Sequence, residues 1–316
     1  MIPRRFVRRL VYPLQYLALE GNRLLDRYDD VVWLIGDARS GTTWVSSLIN
    51  ADGRRRDMFE PCNPSLSAGF TEEMVATYLK PGEDHPGLED FLTRTFSGRS
   101  SSFVVNRENY SFSYHGMVIK DIYANFFASW ACDRFPGVRP VCLIRHPFDV
   151  AKSKVNSQYS FHMDTEALVG NSRLVDDYLL PVMPVIEETL AENSEFLRTV
   201  VYWAIFYTVL FRQFRGRDIY YVFYERMKAA PREELDRLRA HLGDTHPVNE
   251  ARLSRLIERP SRSSRGQNRS TGYDDCTSRE REIAGRLLQS LGLDRLYDEA
   301  GEPGCHPDQI FAPSAR

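Results

Sequence analysis

The stretch that most constrains this chain is residues 31–44, where an apolar run passes through a loop of small residues into a helix-like pattern. Val31–Ile35 predicts a buried strand, and the spacing of Val45, Leu48 and Ile49 predicts a helix directly after the loop. A strand, a tight loop and a helix in this order point backbone N–H groups and the positive end of the helix dipole at one spot. The stretch therefore predicts an anion-binding loop.

The residue types in this loop suit a phosphate. Gly36 and Gly41 permit tight turns and close approach of a ligand to the backbone. Arg39 adds a fixed positive charge, and further hydroxyl donors come from Ser40, Thr42 and Thr43. The glycines have Walker A spacing, but Thr42 stands where that motif has the lysine that contacts nucleoside triphosphates. We expect a nucleotide other than ATP or GTP; a purely structural corner is the alternative.

A second strand–turn–helix unit lies further along the chain. Val141–Ile144 is a continuous apolar run, typical of a strand buried on both faces, and Pro147 suits the first turn of a helix. Arg145 ends the strand, and Ser153 follows eight residues later, about two helical turns along. Ligands of open parallel sheets bind at the carboxyl ends of strands, so this pair is expected to bind a second phosphate group.

Composition and element order predict the fold class. The 316 residues are 42% hydrophobic and 27% charged, which is enough for a sizeable core and argues against wholesale disorder. Alternating strands and helices predict an α/β fold: a single domain with a central parallel sheet flanked by helices. The net charge of −2 gives no overall positive field that would indicate nucleic-acid binding. Five scattered cysteines show no metal or disulfide spacing, so we expect a cytoplasmic protein.

The predicted organisation is an N-terminal amphipathic helix over 1–30, a main domain over 31–300 and a tail over 301–316. No apolar run reaches the ~20 residues of a membrane span. We expect the first helix to pack on the domain; a peripheral membrane contact is the alternative. The periodic apolar residues of this helix are Phe6, Leu10, Leu14, Leu17 and Leu24.

Several other stretches carry local predictions. The triplet Arg54–Arg56 is typical of a solvated turn, and Phe103–Val105 resembles a strand. Helical patterns occur at 71–80 and 88–97. The segment 259–270 is basic and rich in hydroxyl groups, which suits either a linker or a loop that folds over a phosphorylated ligand.

Together, the two phosphate motifs resemble sulfotransferases that use 3′-phosphoadenosine 5′-phosphosulfate. The family's Pro-Lys/Arg-Ser-Gly-Thr-Thr-Trp/Leu loop corresponds here to Ala38-Arg39-Ser40-Gly41-Thr42-Thr43-Trp44. Arg145 and Ser153 match the family's Arg and Ser for the 3′-phosphate. The family's Tyr-Glu-Asp turn resembles Tyr224 and Glu225, with Arg226 replacing the acid. The resemblance covers residues 31–297.

The resemblance implies a co-substrate, a reaction and a set of binding residues. The residues are Arg39, Ser40, Gly41, Thr42, Thr43, Trp44, Arg145, Ser153, Tyr224 and Arg265. Trp44 and Tyr224 would contact the adenine, although a core aromatic is the alternative for Trp44. The sulfonyl group would pass in line to an acceptor, leaving adenosine 3′,5′-bisphosphate. Arg39 would stabilise the charge that grows on the leaving oxygen, and no metal is expected.

The predicted general base differs from the histidine that one part of the family uses. Many cytosolic members use the His of a Lys-Thr-His motif, but the corresponding place here reads Lys120-Asp121-Ile122. Glu60 is the predicted replacement, because Phe59-Glu60-Pro61 resembles the Phe-Glu-Pro of carbohydrate sulfotransferases. The alternative is that Glu60 only pairs with the arginines of 54–56. Reserve candidates for the base are Asp121, His115 and His162.

The function predicted from the sequence is sulfonyl transfer to an acceptor hydroxyl on a carbohydrate or glycan. Two alternatives stay open: a P-loop kinase or NTPase with a degenerate loop, and a non-catalytic nucleotide-binding protein. The expected partner is a small-molecule or glycan acceptor. The oligomeric state is not predicted.

Overall fold

The computed structural model describes residues 4–75, 77–99, 102–157, 165–258 and 276–311. The strands are β1 (Val31–Gly36), β2 (Arg56–Phe59), β3 (Met117–Asp121), β4 (Val138–Ile144) and β5 (Tyr220–Phe223). They form one parallel sheet in the order β2-β3-β1-β4-β5. The predicted α/β fold with a central parallel sheet is confirmed.

The strands have apolar sequences because they are buried. Every residue of β1 and β3 is buried, as expected for strands covered on both faces. In the parallel register, Ile35 of β1 lies opposite Asp121 and Phe59 of β2 lies opposite Lys120. The carboxyl ends of β1, β2 and β3 therefore lie at the same edge of the sheet.

Helices follow and connect these strands. In chain order they are α1 (Arg4–Leu24), α2 (Thr42–Ile49), α3 (Glu72–Val75), α4 (Pro86–Phe96), α5 (Ala128–Arg134), α6 (Pro147–Asn156), α7 (Thr165–Val169), α8 (Ser172–Leu174), α9 (Met183–Ala191), α10 (Glu195–Phe214), α11 (Tyr224–Ala229), α12 (Pro231–His241), α13 (Glu250–Glu258), α14 (Ser278–Ser290) and α15 (Pro307–Ile310). A π-helical turn (Val175–Leu179) and 3₁₀ turns (Leu180–Val182, Leu293–Leu296) lie among them. No helix of the described residues is both long and apolar enough to cross a membrane.

The chain forms two compact units, each discontinuous in sequence. The first comprises Met1–Ile35, Thr42–Val141 and Leu235–Pro260, and in it α2 packs against β3 and α13. The second comprises Gly36–Gly41, Cys142–Glu234 and Ser261–Arg316. Its centre is α10, which is buried along most of its length and packs against α6, α9 and α14. The predicted boundaries at 1–30, 31–300 and 301–316 remain predictions.

Two local predictions were wrong in extent or type. The helical pattern at 71–80 forms only the short α3. Phe103–Val105 forms turns rather than a strand. Val105 is buried, and its carbonyl accepts a hydrogen bond from the backbone N–H of Phe59 at 2.9 Å. The apolar residues there indicate burial, but not strand pairing.

The prediction of a solvated turn at Arg54–Arg56 was also wrong. Arg55 and Arg56 are 1% and 0% exposed, and Arg56 begins β2. Arg55 pairs with Asp30 and Asp244, both at 2.8 Å. Arg56 donates to carbonyl and amide oxygens of Gly98 and Asn106. These acceptors offset the cost of burying the two guanidinium groups in the first unit.

Candidate active site

The loop after β1 has an unusual backbone. Arg39 and Gly41 have positive φ angles of 68° and 94°. A Cβ atom on Gly41 would lie 2.6 Å from Cε2 of Tyr224, so this position also needs glycine for space. A positive φ at an arginine is uncommon, and such strain tends to occur at functional sites.

The two predicted phosphate motifs lie against each other in the second unit. Nε of Arg39 donates a hydrogen bond to Oγ of Ser153 at 3.0 Å. Nη1 of Arg145 donates to the carbonyl oxygen of Arg39, also at 3.0 Å. The Arg145 guanidinium carbon lies 4.6 Å from the centroid of the Tyr224 ring. The structure thus brings together four residues that the sequence predicted as nucleotide ligands.

Arg145 retains capacity to bind an anion. Its Nε atom is buried and has no hydrogen-bond partner. Nη2 lies 3.5 Å from a carboxylate oxygen of Asp149, and the Arg145 carbonyl accepts from the indole N–H of Trp203 at 3.0 Å. A buried donor without a partner is costly, and a bound phosphate would satisfy it. The residues present at Arg145 therefore fit one bound phosphate group.

A buried ion pair fixes the loop to α6. Nζ of Lys154 lies 2.7 Å from both carboxylate oxygens of Asp37, and each side chain is 2% exposed. Burial raises the pKa of Asp37 and lowers the pKa of Lys154, in each case by disfavouring the charged form. Asp37 and Lys154 flank the Arg39–Ser153 contact along the chain. Neither residue was predicted from the sequence, because nothing local indicates their pairing.

A second polar cluster contains the residues that follow Arg145 and Tyr224 in the sequence. The backbone N–H of His146 donates to Glu225 at 3.0 Å, and the hydroxyl of Tyr297 donates to the same carboxylate at 3.1 Å. Nδ1 of His146 accepts from the N–H of Phe148 at 3.2 Å and caps α6. Burial lowers the pKa of His146 to about 4, which agrees with a neutral ring whose Nδ1 accepts.

The structure describes most of the remaining residues that were predicted to bind the nucleotide. Thr42 and Thr43 begin α2, whose first N–H groups have no partner within the helix. Ser40 is fully buried. Trp44 is partly exposed, and its indole N–H donates to the carbonyl of Leu256 at 2.9 Å. Arg265 lies outside the described residues.

Glu60 follows β2 in the first unit and is tightly held. Its φ angle is 48°, and its backbone N–H donates to the carbonyl of Lys120 at 2.7 Å. One carboxylate oxygen accepts from Nζ of Lys120, and the other accepts from the amide of Asn63 at 3.1 Å. Burial lowers the pKa of Lys120. The partner of Glu60 is therefore Lys120, and the alternative pairing with the arginines of 54–56 is wrong.

The reserve candidates for the base are less suited. Asp121 accepts from the indole of Trp33 at 3.1 Å and from the N–H of Cys62 at 3.0 Å, so both of its oxygens support the fold. Burial raises its pKa to about 6. His115 is exposed and precedes β3, at the opposite end of the strand from Lys120. His162 lies outside the described residues.

No group of three or more His, Cys, Asp or Glu side chains in the described ranges could hold a metal ion. The expectation that no metal takes part stays a prediction.

Comparisons with known proteins identify the family. A sulfotransferase domain model matches residues 29–287. No curated protein matches the chain. Among solved structures, the chain is similar to sulfotransferase STF9 from Mycobacterium avium, with 14% identity over 87% of this chain and 80% of that one and a TM-score of 0.48. It is also similar to mouse sulfotransferase SULT7A1 complexed with PAP, with 13% identity over 90% and 91% and a TM-score of 0.42.

A third similar structure is retinol dehydratase in complex with androsterone and inactive cofactor PAP, with 14% identity, 86% and 85% coverage and a TM-score of 0.40. The family match extends over most of the chain and includes both phosphate motifs. The chain belongs to the sulfotransferase family.

Proposed function

We propose that this enzyme transfers the sulfonyl group of 3′-phosphoadenosine 5′-phosphosulfate to a hydroxyl group of a carbohydrate or glycan. The observation that supports sulfonyl transfer most directly is the contact of Arg39 with Ser153 and Arg145. The observation that favours a sugar acceptor is the sequence Phe59-Glu60-Pro61 at the carboxyl end of β2.

In this proposal, each phosphate of the nucleotide has its own set of binding residues. Arg145 and Ser153 bind the 3′-phosphate, for which the buried Nε of Arg145 is an available donor. The 5′-phosphate binds to the N–H groups and hydroxyls of residues 40–43, where the helix dipole is favourable. Tyr224, which packs against Gly41 and Arg145, contacts the adenine.

Arg39 acts on the leaving phosphate group. When the sulfur–oxygen bond breaks, negative charge grows on the bridging oxygen, and a guanidinium group stabilises that charge without giving up a proton. The bond to Ser153 fixes the side chain beforehand, so little reorganisation accompanies the reaction. This type of interaction accelerates the chemical step because it is strongest in the transition state.

Glu60 accepts the proton of the acceptor hydroxyl. Lys120 and Asn63 each occupy one of its oxygens, which fixes the carboxylate in one orientation. Each carboxylate oxygen has two acceptor positions, so the acceptor hydroxyl can still bind. Glu60 follows β2 at the sheet edge where β1 also ends, which is where ligands of parallel sheets bind.

The test is transfer of radiolabelled sulfate to a panel of sugars, glycans and small hydroxyl compounds. Sugars should be sulfated, and Arg39→Ala and Glu60→Gln should each lower kcat by about 10²-fold or more. Glu60→Gln should leave the affinity for adenosine 3′,5′-bisphosphate unchanged in calorimetry. Asn63→Ala is the matched control, because it removes one hydrogen bond to Glu60 and keeps the carboxylate.

Other outcomes distinguish the alternatives. Full activity of Glu60→Gln would overturn the assignment of the base, and transfer only to small non-sugar hydroxyls would overturn the acceptor class. Tighter binding of ATP–Mg²⁺ than of the bisphosphate would favour the kinase alternative. Tight bisphosphate binding without transfer to any acceptor would favour a non-catalytic binder.

We also place the enzyme in the cytoplasm. Cys62, Cys142 and Cys305 are free thiols, and Cys62 and Cys142 are buried. Unpaired thiols are typical of reducing compartments. Fractionation of cells with an antibody to the protein tests this; recovery from an oxidising compartment would contradict it.

A further inference from the structure

The chain on either side of Arg107 is hydrogen-bonded to β2 in the first unit. Before it, the carbonyl of Val105 accepts from the backbone N–H of Phe59 at 2.9 Å. After it, the amide of Asn109 donates to the carbonyl of Asp57 at 2.7 Å and accepts from the N–H of the same residue at 2.8 Å. These bonds fix the position of the Arg107 backbone relative to the strand.

The side chain of Arg107 packs on the ring of Phe59. Its guanidinium carbon lies 3.6 Å from the ring centroid. Nζ of Lys120 lies 3.8 Å from the same centroid. Two groups this close to one centroid lie on opposite faces of the ring, because on one face they would clash. The ring therefore separates the two positive charges and interacts favourably with both.

The guanidinium group of Arg107 has unused hydrogen-bonding capacity. Its Nε atom is buried, and none of its N–H groups donates a hydrogen bond to a described residue. An oxygen of Glu108 lies 3.7 Å from Nε, which is beyond hydrogen-bond distance. The other oxygen of Glu108 accepts from the hydroxyl of Tyr110 at 3.2 Å. The Arg107 side chain is 36% exposed, so an anion in solution can reach its amino groups.

Two carboxyl groups near Arg107 do not neutralise it fully. The side chain of Glu108 is 50% exposed, and water screens its charge. Asp57 also interacts electrostatically with Arg107, but burial raises its pKa to about 6 by disfavouring its charged form. A guanidinium group that is bonded to neither can form a bidentate pair with a carboxylate or sulfate group of a ligand.

Arg107 also lies near the proposed general base. Lys120, on the other face of the Phe59 ring, donates to the carboxylate of Glu60. Glu60 directly follows Phe59 at the carboxyl end of β2. One aromatic ring therefore separates the guanidinium of Arg107 from the ammonium group that holds the base. When a hydroxyl of a sugar binds at Glu60, a substituent of the same or the adjacent sugar ring can reach Arg107.

We propose that Arg107 binds an anionic substituent of the acceptor sugar, either a carboxylate or a sulfate group. This assignment rests on the proposed function, because it takes Glu60 as the group that binds the acceptor hydroxyl. It narrows the acceptor class to acidic sugars. It also gives Arg107 a role in acceptor specificity and none in the transfer step.

Sulfate transfer to three matched disaccharides tests the proposal. One contains glucuronic acid, the second has glucose in its place, and the third has a sulfated glucose there. In the wild type, at least one of the acidic acceptors should have a KM at least about tenfold lower than the neutral one. The acidic acceptor with the lower KM identifies the group that Arg107 binds.

Variants of Arg107 test the residue itself. Arg107→Gln should raise the KM for the preferred acidic acceptor about tenfold, with kcat and the KM for the neutral acceptor unchanged. Arg107→Lys keeps the charge and should retain part of the preference. Arg94→Gln is the matched control and should behave like the wild type, because Arg94 is 46% exposed and pairs with Asp90 on α4.

Salt provides a second measurement. The KM for the acidic acceptor should rise with salt in the wild type and change less in Arg107→Gln, because salt screens the attraction between charges.

The failures of the two proposals are distinguishable. Equal KM values for acidic and neutral acceptors would overturn the assignment of Arg107 alone. An equal loss of kcat with both acceptors in Arg107→Gln would do the same, because the side chain would then only support Phe59 and Glu60. Transfer to no sugar at all would overturn the proposed function together with this assignment.

Discussion

Arg39 and Ser153 lie 114 positions apart in the sequence, yet Nε of Arg39 donates a 3.0 Å hydrogen bond to Oγ of Ser153. The contact joins the loop after β1 to the helix after β4. The buried pair of Asp37 and Lys154, each one or two positions away, holds the same two segments together. The two phosphate motifs therefore form one structural cluster in the second unit, and changes to one should affect the other.

Ser153→Ala should weaken nucleotide binding. The hydroxyl is the partner of Arg39 and the proposed ligand of the 3′-phosphate, so its loss should lower the affinity for adenosine 3′,5′-bisphosphate about tenfold. Isothermal calorimetry measures this. Ser157→Ala is the control, because Ser157 lies one helical turn further and its hydroxyl donates only to backbone carbonyls. Equal affinities of Ser153→Ala and wild type would contradict the prediction.

Gly41→Ala should both destabilise the fold and weaken nucleotide binding. The backbone strain at φ 94° should cost about 1–3 kcal/mol, and the new methyl group must displace the ring of Tyr224. Gly216→Ala separates the two effects, because its φ is 72° and a Cβ there meets no atom within 4 Å. In urea unfolding, Gly41→Ala should lose more stability than Gly216→Ala. Similar losses in the two variants would argue against the contact with Tyr224.

Asp37→Asn should strongly destabilise the protein. The substitution leaves the buried ammonium group of Lys154 without its carboxylate, which typically costs about 3–5 kcal/mol. The double variant Asp37→Leu with Lys154→Met should recover most of that loss, because no buried charge remains. Urea unfolding of both variants measures the difference. A double variant as unstable as Asp37→Asn would show that the loss does not arise from the unpaired charge.

His146 should make stability depend on acidity. Burial lowers its pKa to about 4 from an ordinary value of 6.5, so the unfolded chain binds a proton more readily than the folded one between these values. The contribution of neutral His146 to the free energy of unfolding is fully present above about pH 6.5. It is lost as the pH falls to about 4, and the loss amounts to about 3 kcal/mol.

His146→Asn isolates this contribution, because Asn can still cap α6 but does not titrate. Wild type should lose about 3 kcal/mol more than the variant between neutral pH and about pH 4. Burial raises the pKa values of Asp57 and Asp121 to about 6, so these two groups stabilise the fold as the pH falls. Their effect is the same in both proteins and cancels in the comparison. Parallel stability curves for the two proteins would contradict the prediction.

The sequence predicted the features that depend on local chain order. A strand, a glycine loop and a helix are consecutive, so the loop at 36–41 and the ends of β1 and β4 could be located from residue types alone. Parallel topology then placed Arg145 and Ser153 near the loop, and the structure confirms the contact. The buried apolar runs of β1 and β4 were recognisable for the same reason.

Features that depend on distant partners could not be predicted. Arg55 is buried because Asp30 and Asp244 accept its hydrogen bonds, and no local pattern reveals those partners. Glu60 pairs with Lys120, and the 60 positions between them leave no local pattern that indicates the pair. The periodic apolar residues of α1 show the same limit, since periodicity identifies an apolar face but not what covers it.

The most direct test of the account is a crystal structure of the enzyme with adenosine 3′,5′-bisphosphate. It should show the 3′-phosphate within hydrogen-bond distance of Arg145 and Ser153, and the 5′-phosphate at the N–H groups of Gly41 to Thr43. A nucleotide bound elsewhere, or bound with neither phosphate near Arg145, would contradict it.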